Sequence, residues 1–218
     1  MSTDPLIEIV LPCLDEAAAL PWVLNRIPLS ARAIVVDNGS SDGSADLARA
    51  GGAIVVECTQ RGYGAACHTG LNAATADVVA FCDCDGSLDP ADAVRLTDSL
   101  VAGADLVVGR RRPTSRAAWP LAARLANHAL ARRVRARTGV QLTDLGPIRV
   151  ARREPLQALD IRDRRSGYPL ETVVRAAHAG WRIDQVDVDY HPRSGRSKVT
   201  GTPRGYLQAV RDMSAVRF

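Results

Sequence analysis

Apolar, β-branched runs recur at regular intervals through the first half of the chain: LIEIVLP (6–12), AIVVD (33–37), AIVVEC (53–58), VVAFCD (78–83) and ADLVVGR (104–110). Their near-continuous hydrophobicity predicts strands covered on both faces. Between them lie EAAALPWVLNRI, GSADLARAG, GAACHTGLNAAT and PADAVRLTDSLVAG, all helix-compatible, several opened by Ser, Asp or Pro and closed by Gly. Strand-helix alternation of this kind predicts an α/β fold, a doubly wound, mostly parallel sheet with helices on both faces.

The pattern changes beyond residue 112. SRAAWPLAARLANHALARRVRARTG (115–139) predicts a long basic helix, DLGPIRVARR a short strand and YPLETVVRAAHAG another helix. VDVDY (186–190) alternates, which places one face in the core and one in water, as at a sheet edge or in an antiparallel pair. RGYLQAVRDMSAVRF predicts a last helix, and HPRSGRSKVTGTPRG (191–205), rich in Gly, Ser, Pro and positive charge, is the only linker-like piece. The 218 residues therefore predict a single domain with two halves, 1–112 and 113–218.

Composition narrows the classes. No run reaches the roughly 18 apolar residues of a membrane span, and MSTDPLIEIVLP lacks the basic start of a signal peptide, so the expectation is a cytoplasmic protein. Five cysteines, mostly in apolar runs, suit small buried residues in a reducing compartment; Cys82-x-Cys84 has no second pair to make a zinc site. The net charge of +4 and pI near 9.0 suit an anionic partner. With 4% aromatics and no basic stripe interleaved with them, nucleic acid is not that partner.

Open α/β sheets bind ligands outside the carboxyl ends of their strands. CLDEA, DNGSSDG, TQRGYG, DCDGS and GRRRP all fall at such ends, so one rim collects Asp15, Glu16, Asp37, Asp42, Arg61, Asp83, Asp85 and Arg110 to Arg112. Asp83 and Asp85, two apart on an extended strand, point the same way with roughly 6.5 Å between their Cα atoms. Like charges so placed need a compensating cation or donors. The spacing suits one carboxylate on a ribose and the other on a Mg2+ or Mn2+ that borrows diphosphate oxygens. The rim as a whole suits a ligand with sugar hydroxyls and phosphates. No Gly-Lys-Ser/Thr follows the glycines at 62 and 64, which excludes a P-loop, and the first strand is not followed by Gly-x-Gly-x-x-Gly.

The segments IVLPCLDEAAAL, IVVDNGSSDGS, RGYGAACHTGLNAATADVVAFCDCDG and GYPLE followed by RSGRSKVTG, in that order, resemble the GT-A (Rossmann-like) glycosyltransferases of the large inverting family 2. That family includes dolichyl-phosphate mannose synthase and related polyprenyl-phosphate sugar transferases. The resemblance spans essentially the whole chain, with residues 1–112 as the nucleotide-sugar-binding half and 113–218 as the acceptor half. It implies that Pro12, Asp15, Glu16, Asp37 and Asn38 hold the base and ribose, with Asp15 standing for the family's usual Asn and Asn38 for its second Asp. It further implies that Arg61 and Gly62 belong to the turn ahead of the third helix, and that Asp83 and Asp85 form the nucleotide-sugar and metal motif with Mg2+ or Mn2+. The donor is then a nucleotide diphosphate sugar of GDP-mannose or UDP-glucose type.

In the acceptor half the resemblance assigns catalytic roles to Asp144, Arg149, Arg196 and Lys198. Asp144 would be a general base if the acceptor is a sugar hydroxyl, whereas a polyprenyl phosphate is already ionised and needs none. With the lipid acceptor, Arg149, helped by Arg116 or Arg124, would hold its phosphate. Arg193, Arg196 and Lys198 would close over the diphosphate and stabilise the leaving group. Glu171 matches a family acidic position that a structural hydrogen bond explains equally well. The basic helix suits peripheral contact with an anionic membrane or an ordinary packed helix with a basic outer face. A sugar-nucleotide-forming nucleotidyltransferase would need a glycine-rich basic loop in place of PCLDEA; a noncatalytic nucleotide-sugar binder would have no use for Asp83, Asp85, Arg196 and Lys198 together.

Overall fold

A computed structural model describes residues 7–195, 208, 209, 211–214 and 216. Seven strands are joined in one sheet: β1 (Ile7–Cys13), β2 (Ala31–Asp37), β3 (Ile54–Glu57), β4 (Val78–Phe81), β5 (Leu106–Pro113), β6 (Arg149–Arg152) and β7 (Ile183–Tyr190), in the order β3-β2-β1-β4-β6-β5-β7. The β1–β2, β1–β4, β2–β3 and β5–β7 pairs are parallel; β6 alone runs antiparallel, to both β4 and β5. The helices are α1 (Leu20–Leu24), α2 (Ser44–Ala50), α3 (Tyr63–Ala73), α4 (Ala91–Val101), α5 (Leu121–Thr138), α6 (Arg153–Ala158) and α7 (Tyr168–His178).

Two buried clusters lie on opposite faces of the sheet. One packs Val10, Ile34, Val36, Phe81 and Val108 beneath α3 and α7. The other packs Ile9, Leu11, Val35, Cys82 and Val107 beneath α1 and α4. Alternate residues of one strand feed opposite clusters, as the period of two requires, and this double burial is why the strands read as continuous apolar runs. Glu8, buried in β1 at the edge of the sheet away from the carboxyl ends, is satisfied by Arg32 and by the backbone N–H groups of Thr75 and Ala76. Burial alone would raise its pKa, but the Ala76 and Arg32 hydrogen bonds outweigh that and hold it below the usual range.

Three expected elements differ. The strand expected over 78–83 ends at Phe81, because Cys82 to Ser87 leave the ladder to form the turn that carries the carboxylates. The fifth strand runs on to Pro113, where Arg110 and Arg112 both pair with Asp187 of β7 instead of standing free at the rim. The long basic helix begins at Leu121, behind the turn 116–119 and Pro120. The final segment is helical at 208, 209 and 211–214.

Candidate active site

Because β6 is reversed, the carboxyl ends of six strands and the amino end of β6 share one rim. Asp83 and Asp85 sit there in the turn after β4, with Gly86 at φ +77°, a left-handed conformation that costs glycine nothing. Asp85 is 6% exposed. Its Oδ1 accepts the Ser87 N–H at 3.0 Å and its Oδ2 meets the Arg193 guanidinium at 3.1 Å. The start of the basic loop is laced to this turn: the Ser194 N–H donates to the Asp85 carbonyl at 2.8 Å, and the His191 N–H to the Ser87 carbonyl at 2.9 Å. Arg193 thus stands over the carboxylates. Arg196 and Lys198 lie outside the described residues.

Asp83 is held differently. Its Oδ1 accepts the Tyr63 hydroxyl at 3.1 Å, and Tyr63 Oη in turn accepts from Arg149 Nη2 at 3.2 Å. Burial, and then the neighbouring Asp85 charge, push the Asp83 carboxyl up to about 6 despite the opposing pull of Arg149 and Arg193. Among the described residues no group of three His, Cys, Asp or Glu is arranged to hold a metal ion. The chain therefore offers two carboxylates, a donor set that fits a hard divalent cation drawing its other ligands from phosphate and water.

The loops after β1 and β2, which the resemblance assigns to the nucleotide, adjoin these carboxylates. Asp15 adopts φ +51°, and its Oδ1 accepts the Ser41 N–H at 2.7 Å. Asn and Asp both tolerate that conformation and both offer the oxygen, which accounts for Asp15 at a position where the resembling family uses Asn. Ser40 and Ser44 hydroxyls receive the Asp15 and Glu16 N–H groups, Asp37 accepts the Ser40 N–H at 3.0 Å, and Asp42 accepts the Ala17 N–H at 3.0 Å. The loops after β1 and β2 are thereby stitched into one surface. Pro12 contributes its carbonyl to the Cys84 thiol at 2.9 Å.

Several site residues are committed within the protein. Asn38 is 5% exposed; its amide donates to the Cys58 and Gln60 carbonyls and accepts the Gly62 N–H, so it ties β2 to the turn before α3 with both amide protons used inside the protein. Arg61 is exposed at the rim and donates to the Asn38 carbonyl at 2.7 Å. Gly62 has φ +143°, and a Cβ there would lie 2.1 Å from the Arg164 carbonyl oxygen. Its requirement is packing, since the Gly64 and Ala65 N–H groups donate to the Arg165 and Arg164 carbonyls. The amino end of α3 is thus filled by the chain itself.

Asp144 is 2% exposed, and its carboxylate accepts from Arg111 N, Nε and Nη2 and from the Gly146 N–H. Arg111 is stacked on Trp119 at 3.9 Å. Arg149, 1% exposed, points inward to Tyr63 and the Gly146 carbonyl, away from any acceptor at the surface. Arg116 and Arg124 are exposed. Glu171 accepts the Arg162 and Asp163 N–H groups and pairs with Arg175, the structural role that its sequence left open. Tyr63 was not singled out by pattern; its signal was an aromatic amid small residues in RGYGAA at a strand end.

The sequence model described as glycosyl transferase family 2 matches residues 8–160. An uncharacterized glycosyltransferase of Mycobacterium tuberculosis is 50% identical over 207 residues, 94% of this chain and 95% of that protein. An undecaprenyl-phosphate mannosyltransferase of Micrococcus luteus is 31% identical, covering 88% of this chain and 86% of its own, and a dolichyl-phosphate hexose transferase of Haloferax volcanii is 29% identical, covering 88% and 85%. Among solved structures, glucosyl-3-phosphoglycerate synthase of M. tuberculosis with Mn2+, uridine diphosphate and glucosyl-3-phosphoglycerate superposes with a TM-score of 0.74 at 27% identity, covering 97% of this chain and 78% of that one. The same enzyme with Mg2+ and uridine diphosphate gives 0.75 at 27% identity, covering 97% and 78%.

Proposed function

The chain belongs to glycosyl transferase family 2 and is a glycosyltransferase, and from that premise we propose that it moves a hexose, with inversion, from a nucleotide diphosphate sugar to a polyprenyl phosphate. The donor is of GDP-mannose or UDP-glucose type, and Asp83 and Asp85 would hold a Mg2+ or Mn2+ against its diphosphate. That cation supplies charge neutralisation as the diphosphate departs. Asp15, Glu16 and Asp37 line the base and ribose site, with Asn38 bracing it from below.

An acceptor phosphate oxygen bonds to the anomeric carbon from the face opposite the diphosphate. The old carbon–oxygen bond breaks, and its electron pair leaves with the nucleoside diphosphate. Arg193, already on Asp85, and Arg196 and Lys198 in the residues that follow add positive charge where negative charge develops. Their closure would keep water from the donor.

The observation that carries the acceptor class is Asp144: its carboxylate takes hydrogen bonds from Arg111 and from the Gly146 N–H on both oxygens. Buried, with both oxygens engaged inside the protein, this carboxylate is not placed to meet an acceptor hydroxyl, and an ionised phosphate needs no base. Two relatives named for lipid phosphates support the same choice. So does α5: Leu121 is 70% exposed and Leu125 61%, one turn apart on one face, and the stretch 115–143 holds no carboxylate. With Arg124, Arg132 and Arg135 exposed on the same side, this helix suits an anionic membrane surface. Among the described residues no helix is long and apolar enough to cross a membrane.

A second reading, transfer to a soluble phosphorylated hydroxy acid, draws on the solved neighbours. Sugar transfer from labelled UDP-glucose and GDP-mannose to a short polyprenyl phosphate and to 3-phosphoglycerate, each with Mn2+, separates them. Labelled lipid product from one donor is the expected result. Labelled phosphoglycerate with no lipid product would overturn the acceptor and put the second reading in its place.

A further inference from the structure

Tyr63 opens α3 beside the glycines and carries a hydrogen-bond polarity that only one arrangement satisfies. Arg149 Nη2 can only donate, so Tyr63 Oη accepts from it, at 3.2 Å. The single hydroxyl proton then goes to Asp83 Oδ1, at 3.1 Å. Arg149 is itself immobilised: 1% exposed, with Nη1 on the Gly146 carbonyl at 3.1 Å and its guanidinium 5.7 Å from the centre of the Phe81 ring. The two hydrogen bonds diverge from opposite sides of a planar group, a reach that a lysine ammonium cannot reproduce.

The consequence falls on Asp83. One of its oxygens is taken by a donor fixed from the buried side, and among the described residues no hydrogen-bond donor engages the other. Asp85 contrasts with it, because both of its oxygens already have partners, Ser87 and Arg193. Resting on the reading of Asp83 as a ligand of the nucleotide-bound cation, we infer that Tyr63, oriented by Arg149, is a positioning residue that fixes Asp83 so that Oδ2 is the oxygen presented to that cation. The residue that the resemblance assigns to the acceptor phosphate thus acts from beneath the donor site, through a tyrosine.

Mn2+ binding in the presence of UDP, and separately GDP, read from the electron paramagnetic resonance signal of free Mn2+, tests this without any turnover. Tyr63→Phe keeps the ring and removes the donor, and a hydrogen bond to a charged group is worth enough to weaken Mn2+ about tenfold, in a protein that still folds cooperatively but melts lower because Arg149 loses a buried partner. Arg149→Lys is expected to weaken Mn2+ in the wild-type background and to add nothing in the Tyr63→Phe background, since it acts through that hydroxyl. Mn2+ affinity within twofold of wild type in Tyr63→Phe would overturn the inference, as would full additivity of the two changes. Asp83→Asn is the companion: if it also binds Mn2+ normally, the reading of Asp83 fails as well, whereas loss in Asp83→Asn with none in Tyr63→Phe removes the positioning role alone.

Discussion

Asp83 concentrates the chemistry of the rim in one titration. Its carboxyl is raised to about 6, first by burial and then by Asp85, so the folded protein binds that proton more readily than the unfolded chain. The stability it contributes is therefore fully present below the unfolded value near 4 and is lost as pH rises through about 6. Cation binding runs the other way, because it needs the ionised form. Without metal, the melting temperature of wild type relative to Asp83→Asn is expected to fall as pH rises from about 4 to about 6 and to level off above that; with Mn2+ and nucleotide, affinity is expected to fall as pH drops below about 6. A pH-independent difference between the two proteins would contradict the raised carboxyl. Asp83 and Asp85 stand out in the sequence because two carboxylates end an apolar run, and the turn role open to such residues is seen where Asp85 accepts the Ser87 N–H. The inward turn of Arg149 and the clamp on Asp144 were not legible there, since each depends on a partner, Tyr63 or Arg111, brought in from a distant segment.

At the scale of elements, the alternation of β-branched runs and capped helices was enough to give the parallel strands and their common rim. The reversal of β6 was hidden: four residues carry no direction in their pattern, and only pairing with β4 and β5 reveals it. The amino end of α3 teaches the same lesson. RGYG reads as a glycine turn open to a ligand, yet the carbonyls of Arg164 and Arg165 fill it. Gly62→Ala places a Cβ against that backbone at φ +143°, and neither side can retreat cheaply. A loss of about 3 kcal/mol in denaturant unfolding is expected from the strain and overlap together. A loss below about 1 kcal/mol would show that the 163–167 loop can move aside, and would reopen the helix end as a ligand site.

Across the whole molecule, elements of both halves meet at one carboxylate pair: the turn after β4 carries it, β6 wedges Arg149 between β4 and β5, and the loop after β7 returns Arg193 to Asp85. Overall charge was a weak guide, because many of the arginines are spent on internal carboxylates, Arg110 and Arg112 on Asp187 among them. What remains outward is the carboxylate-free stretch of α5. On the proposed function, this rim holds a nucleoside diphosphate through a divalent cation on Asp83 and Asp85. Calorimetric titration of UDP and GDP into wild type and Asp85→Ala, with Mn2+ and with the metal chelated, tests it most directly. One nucleotide binding to wild type only with Mn2+, and not to a folded Asp85→Ala, is the predicted result; equal affinity without metal, or in the variant, would contradict it.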